Sequence, residues 1–124
     1  MNYISTRNNQ KNFTFKDVFL KGLADDGGLF VPELIKPFNE EELNNLKNLS
    51  YNDLATEIIY PFIGDFMSKD ELFSMISKSY SNFRSENVVK ISDLGDLKVL
   101  ELFHGPTLAF KAVSYTHLRS HETS

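Results

Sequence analysis

The sequence predicts an α/β protein: a mainly helical N-terminal domain with short strands, leading into the first strand and the helix start of a further α/β region. Three observations carry this reading. Polar caps followed by apolar residues at helical spacing recur between residues 14 and 83. Short β-prone segments, Tyr3-Ile4-Ser5-Thr6 and Leu29-Phe30-Val31, sit between turn signals. Finally, an apolar run at 99–103 enters a Gly105-Pro106 pair and then Thr107-Leu108-Ala109-Phe110-Lys111, the pattern of strand, tight turn and helix start.

Taken in order, Tyr3 to Thr6 reads as an N-terminal strand, and Arg7 with the polar run 8–12 reads as a loop. Thr14 and Asp17 have capping-box spacing, and Phe15, Val18, Phe19 and Leu23 give a helical stripe ending at 22–24. Asp25-Asp26-Gly27-Gly28 is a turn whose glycines free the backbone for positive φ or for close approach of another backbone or a ligand. Pro32 closes the strand that follows. Asn39 before three glutamates opens a second helix, with Leu43 and Leu46 facing inward. Ser50 and Asp53 open a third, bounded by Pro61. Ser68 and Glu71 open a fourth, carrying Leu72, Phe73, Ile76 and Tyr80. The aromatic members of these stripes are core residues by this pattern. Residues 88–91 are β-prone, 93–96 form a turn, and 97–103 read as a strand. The predicted domains are therefore 1–96, helical, and 97–111, the start of the next domain. Residues 112–124 are polar and unpatterned, resemble an adaptor-derived tail, and are expected to be foreign to the fold.

Composition narrows the function. The chain has 124 residues, enough for one modest core and short for a multilayered enzyme. Its net charge of -4 and scattered lysines argue against a nucleic-acid partner. The absence of cysteine excludes disulfides and thiolate chemistry. No apolar run is long enough to span a bilayer and the N-terminus lacks a signal pattern, so the expectation is a cytoplasmic protein with no membrane partner and no evident protein partner. His117 and His121 have the i, i+4 spacing of metal ligands, but no third ligand accompanies them, and no metal is expected. Lys111 invites two readings. Apolar neighbours disfavour its charged form and would make it a nucleophile, or it is a surface lysine extending its ammonium into water.

Three stretches together resemble the N-terminal part of threonine synthase: Tyr3-Ile4-Ser5-Thr6-Arg7, then the run from Gly22 through Asp25-Asp26-Gly27-Gly28 to Glu33, and Glu101-Leu102-Phe103-His104-Gly105-Pro106-Thr107-Leu108-Ala109-Phe110-Lys111. Tyr60-Pro61-Phe62-Ile63-Gly64 is a weaker fourth. The resemblance covers the chain from its start to Lys111. It implies pyridoxal 5'-phosphate as cofactor, bound at Lys111 as a Schiff base, with Lys111 catalytic. It implies conversion of the small-molecule substrate O-phospho-L-homoserine, with water, to L-threonine and phosphate, and a fold-type II catalytic domain beginning at 97–111. Ser5, Thr6 and Arg7 are candidates to approach the substrate phosphate, an arginine being able to bind phosphate bidentately, though Arg7 could equally serve a surface ion pair. His104, Gly105 and Thr107 would shape the site around the lysine; Thr107 could instead be a helix cap, and His104 a packed, hydrogen-bonded histidine.

The departures from the family pattern are Asn8 where the family has glycine, and Ala112 where it has aspartate. No glycine-rich phosphate loop follows, since the glycines are Gly22, Gly27, Gly28, Gly64, Gly95 and Gly105. The chain alone is therefore expected to hold the cofactor weakly and to be inactive. The competing readings are a non-catalytic helical binding module that retains family-like sequence, and an unrelated small helical domain.

Overall fold

A computed structural model describes residues 1–110; Lys111, His117, His121 and the tail lie outside the described residues. The chain divides into two compact units, one of Met1–Phe73 and one beginning at Ser74. No helix among the described residues is long and apolar enough to cross a membrane.

The first unit is built on a three-stranded antiparallel sheet of order β2-β1-β3, formed by β1 (Tyr3–Ser5), β2 (Asn8–Phe13) and β3 (Phe30–Pro32). Helix α1 (Phe15–Lys21) joins β2 to β3 through the Asp-Gly turn, and α2 (Glu40–Leu46) and α3 (Tyr51–Ile63) follow. A 3-10 turn at Gly64–Phe66 then leads to α4 (Lys69–Tyr80), within which the first unit ends. The caps fall where the sequence places them. Thr14, Asn39 and Ser68 each accept from the third helical N–H while Asp17, Glu42 and Glu71 reach back to the cap N–H. Ser50 caps α3 by accepting from Asp53 N.

Packing centres on β1. Tyr3 is buried, and its hydroxyl donates to the Phe62 carbonyl at 2.7 Å, one of the last-turn acceptors that α3 cannot satisfy internally. Its ring lies 6.3 Å from that of Phe15, which contacts Phe19 and Phe66 at 5.7 and 5.3 Å. Ala24, Ile63 and Leu72 complete the buried apolar set of this unit.

The first unit departs from the sequence-based expectation at several positions. Residues 8–13 are a strand and not a loop. Five of its six residues are exposed, so backbone pairing with β1, and no hydrophobic alternation, holds it. Pro61 does not bound α3, which runs on to Ile63. A proline this near the C-terminus costs one i→i−4 bond, against which Ile63 is buried and the Phe62 carbonyl is capped. Leu43 does not face inward: it is 48% exposed. Phe73, read as a core aromatic, is likewise exposed.

In the second unit β4 (Lys90–Asp93) and β5 (Lys98–Glu101) form an antiparallel hairpin with Ile91 opposite Leu100 and Ser92 opposite Val99. The strand expected over 97–103 is thus shorter, and one of its edges has a partner. The helix expected from Thr107 does not begin among residues 107–110. Gly105 to Leu108 is a turn closed by Leu108 N on the Gly105 carbonyl at 3.1 Å, and Leu108 has φ 57°, which a right-handed helix cannot accommodate.

Candidate functional site

The sequence-predicted residues fall into two groups, one in each unit. In the first unit, Ser5, Thr6 and Arg7 are interlocked with the Asp26-Gly27-Gly28 turn. Ser5 is buried, and its hydroxyl donates to Asp26 Oδ1 at 2.8 Å while accepting from Arg7 N at 3.2 Å. The same carboxylate oxygen accepts from Gly28 N at 2.8 Å. Arg7 Nη1 donates to the Asp26 carbonyl at 3.0 Å. Thr6 Oγ1 accepts from Leu29 N at 3.0 Å, and Thr6 N donates to the Leu29 carbonyl, extending the β1–β3 ladder past the strand ends. The hydroxyls of Ser5 and Thr6 are therefore committed to holding the turn. Arg7 is exposed, and its side-chain bond to the turn is made through Nη1.

The two glycines are required for different reasons. Gly27 has φ 78°, a left-handed conformation that strains any side chain. At Gly28 a Cβ would overlap Ser5 Oγ and come within 3.0 Å of Asp26 Oδ1 and Thr6 Oγ1. Gly28→Ala is expected to lower stability by about 1–3 kcal/mol, because Ser5 Oγ and Asp26 Oδ1 are hydrogen-bonded to each other and Thr6 Oγ1 to Leu29 N, so each can withdraw only by losing a bond. A urea midpoint equal to that of the parent chain would contradict this packing. The sequence left open whether Gly27-Gly28 admits a ligand or a neighbouring segment; here the neighbour is β1 itself. A cleft of about 190 Å³ opens alongside, lined by Ser5, Lys11, Phe13, Asp25 and Asp26 among others. Asp26 was not singled out as a site residue by sequence reasoning, although the Asp-Gly signal marked its turn.

Electrostatics follow from these hydrogen bonds. The Gly28 N–H and then the Ser5 hydroxyl hold the Asp26 carboxyl below its ordinary range, with Arg7 adding to the effect. Asp17, Glu42 and Glu71 are lowered chiefly by bonds from their capping residues Thr14, Asn39 and Ser68. A carboxylate lowered on folding contributes stability that is present above its unfolded pKa and is lost as pH falls through the folded one. The melting temperature should accordingly hold at neutral pH and drop progressively below about pH 4, the ordinary carboxylate range. Asp17→Asn and Glu71→Gln should flatten that dependence; an unchanged slope would exclude these caps as its source.

In the second unit, His104 follows β5 by three residues. Its Nε2 lies 2.7 Å from Glu101 Oε2, and the two side chains are only 18% and 15% exposed. Ser92 Oγ donates to the other oxygen of Glu101, and the Phe103 ring stacks on the imidazole at 4.7 Å. Gly105 is buried, and Thr107 is exposed within the turn that ends at Leu108. Glu101 and Ser92 are further residues that sequence reasoning did not single out. The signal for Glu101 was its place at the head of the family-like motif, whereas Ser92 carried none.

Pyridoxal phosphate requires a cradle of backbone N–H donors for its phosphate. The described residues do not fit that group. The N-termini of α1 to α4 are closed by their own capping side chains, three of them with a carboxylate. The Gly27-Gly28 turn is filled by Ser5, Thr6 and Asp26. Among the described residues no cluster of three or more His, Cys, Asp or Glu side chains could hold a metal ion.

The first unit is thus a helix-rich module whose N-terminal strand is pinned between a polar edge strand and the Gly-Gly turn. The family described as the threonine synthase N terminus matches residues 2–80, and the chain belongs to that family. It is 41% identical over 120 residues to the threonine synthase of Schizosaccharomyces pombe, which covers 95% of this chain and 23% of that protein. Among solved structures, the pyridoxal-phosphate-bound threonine synthase of Brucella melitensis superposes with a TM-score of 0.86 at 38% identity, over 91% of this chain and 25% of that one. The yeast threonine synthase gives 0.84 at 41% identity, over 90% and 24%. The chain thus spans about a quarter of the length of the relatives it matches.

Proposed function

We propose that this chain serves as the N-terminal part of a pyridoxal-phosphate-dependent threonine synthase of fold-type II. Such an enzyme is a cytoplasmic carbon–oxygen lyase converting O-phospho-L-homoserine and water to L-threonine and phosphate in threonine biosynthesis. The observation that carries the reading is the close superposition on a pyridoxal-phosphate-bound threonine synthase over nine-tenths of this chain. In this reading 1–96 is the helical domain, 97–111 begins the catalytic domain, 112–124 lies outside the shared fold, and Lys111 bears the cofactor. Ser5, Thr6 and the Asp26 turn present Arg7, whose remaining guanidinium N–H groups suit a phosphate. His104, Gly105 and Thr107 set the approach to the lysine. Because residues 1–110 offer no phosphate cradle, the 124-residue chain by itself should release no phosphate from O-phospho-L-homoserine.

A chimera tests the reading: residues 1–111 replace the matching region of the yeast enzyme, and threonine formation is measured. An active chimera is expected. A folded chimera that makes no threonine would favour the non-catalytic binding module instead.

A further inference from the structure

We propose that Glu101, held in place by Ser92, is a positioning residue for His104: it fixes the imidazole with its proton on Nε2 and leaves Nδ1 as the proton-accepting nitrogen of the ring. Its part in the reaction rests on the reading above, in which His104 shapes the approach to Lys111; the arrangement itself does not.

The hairpin register brings these groups together. Ser92 faces Val99, so Glu101, two residues beyond Val99, is its diagonal neighbour on the same face of the β4–β5 pair. That places a hydroxyl and a carboxylate from two strands within reach of each other. Ser92 Oγ donates to Glu101 Oε1, and Glu101 Oε2 meets His104 Nε2 at 2.7 Å. Both carboxylate oxygens are thereby engaged. The Ser92 and then the His104 hydrogen bonds hold the Glu101 carboxyl below its ordinary range, so it is ionised at neutral pH. An ionised carboxylate can only accept, which requires the hydrogen to be on Nε2.

The ring is also fixed in plane and in position. Phe103 stacks on it at an interplanar angle of 30°. The backbone of His104 is anchored by Arg84 N, which donates to its carbonyl at 2.9 Å. A neutral imidazole held in this way offers Nδ1 to hydrogen donors of the ammonium or water class, the two that the proposed reaction brings to the site. A carboxylate that orients one imidazole nitrogen so as to define the role of the other is a common device in sites that move protons.

The test is a long-range 1H–15N spectrum of the imidazoles in the 15N-labelled 124-residue chain, with His104 identified by its loss in His104→Gln. At a pH where the ring is neutral, Nε2–H is expected to exceed Nδ1–H by about tenfold or more over the free-imidazole ratio, as a hydrogen bond to a charged acceptor implies. Glu101→Ala should return the ratio to within a few-fold of free imidazole, while amide exchange reports whether the β4–β5 ladder persists. Should the ladder be lost, Glu101→Gln decides: its amide is neutral and its NH2 can donate to Nε2, as an ionised carboxylate cannot, so the Nε2–H preference should fall. A parent chain with mixed or Nδ1–H tautomers, or a Glu101→Gln variant that keeps the parent's Nε2–H preference in full with its ladder intact, would overturn the proposal. The spectrum is recorded without substrate or cofactor, so an inactive chimera would refute the enzymatic reading and leave this result standing.

Discussion

Tyr3→Ala should cost about 3–5 kcal/mol, enough to unfold the first unit if its stability is at the lower end of the ordinary range. Tyr3 is buried at the start of β1, the strand between β2 and β3, and its ring packs toward Phe15, which links it to Phe19 and Phe66. Truncation removes that ring and also the hydroxyl that caps the Phe62 carbonyl at the end of α3. The two contributions can be separated. Tyr3→Phe keeps the ring and leaves the carbonyl unpaired, so it should cost about 1–2 kcal/mol. Burial also raises the Tyr3 hydroxyl above its ordinary pKa, which keeps it protonated and able to donate throughout the neutral range. Urea denaturation of both variants gives the comparison. A Tyr3→Phe loss as large as that of Tyr3→Ala would mean that the hydrogen bond, not the ring, carries β1.

Lys111→Ala in the yeast chimera should reduce threonine formation by about 10²-fold or more, the contribution expected of a positioned proton-transfer group. In the proposed enzyme this lysine both anchors the cofactor and moves protons, so one substitution removes both roles. The isolated chain provides a contrast. Leu108 and Phe110, the large apolar neighbours expected to desolvate the lysine, are 53% and 68% exposed. Among the described residues these two side chains are therefore open to solvent and form no apolar shell of their own. A chimera that keeps its activity after Lys111→Ala would remove Lys111 from the mechanism.

The parts of this fold that were legible beforehand are those encoded locally. Thr14, Asn39, Ser50 and Ser68 announce helix starts because a short polar side chain and a carboxylate three residues on satisfy donors within one turn of chain. The Asp26-Gly27 turn was legible for the same reason. β2 was not, since Asn8-Asn9-Gln10-Lys11-Asn12 carries no apolar alternation and becomes a strand only because β1 offers it a backbone ladder. Nor was the helical continuation through Pro61, which depends on a hydroxyl from Tyr3, 59 residues away from Phe62. Of the candidate site, the family-like motifs contain Ser5, Thr6, Arg7 and His104 and also Asp26 and Glu101, but nothing in the strings says that the two acids hold the others. Asp26 and Glu101 are ordinary surface acids in a one-dimensional reading.

The sequence by itself determined the helix caps, the turn glycines and the membership of the threonine synthase family, because each rests on residues within a few positions of one another or on motifs that survive as strings. The tertiary structure alone decided which side chains are engaged. It closes Asp26 on Ser5 and Gly28, sets Glu101 between Ser92 and His104, and turns Leu108 out of helical conformation. Hydrogen bonds and steric contacts act through space over a few ångströms, and residues 9 or 21 positions apart reach that range only when the strands between them pair.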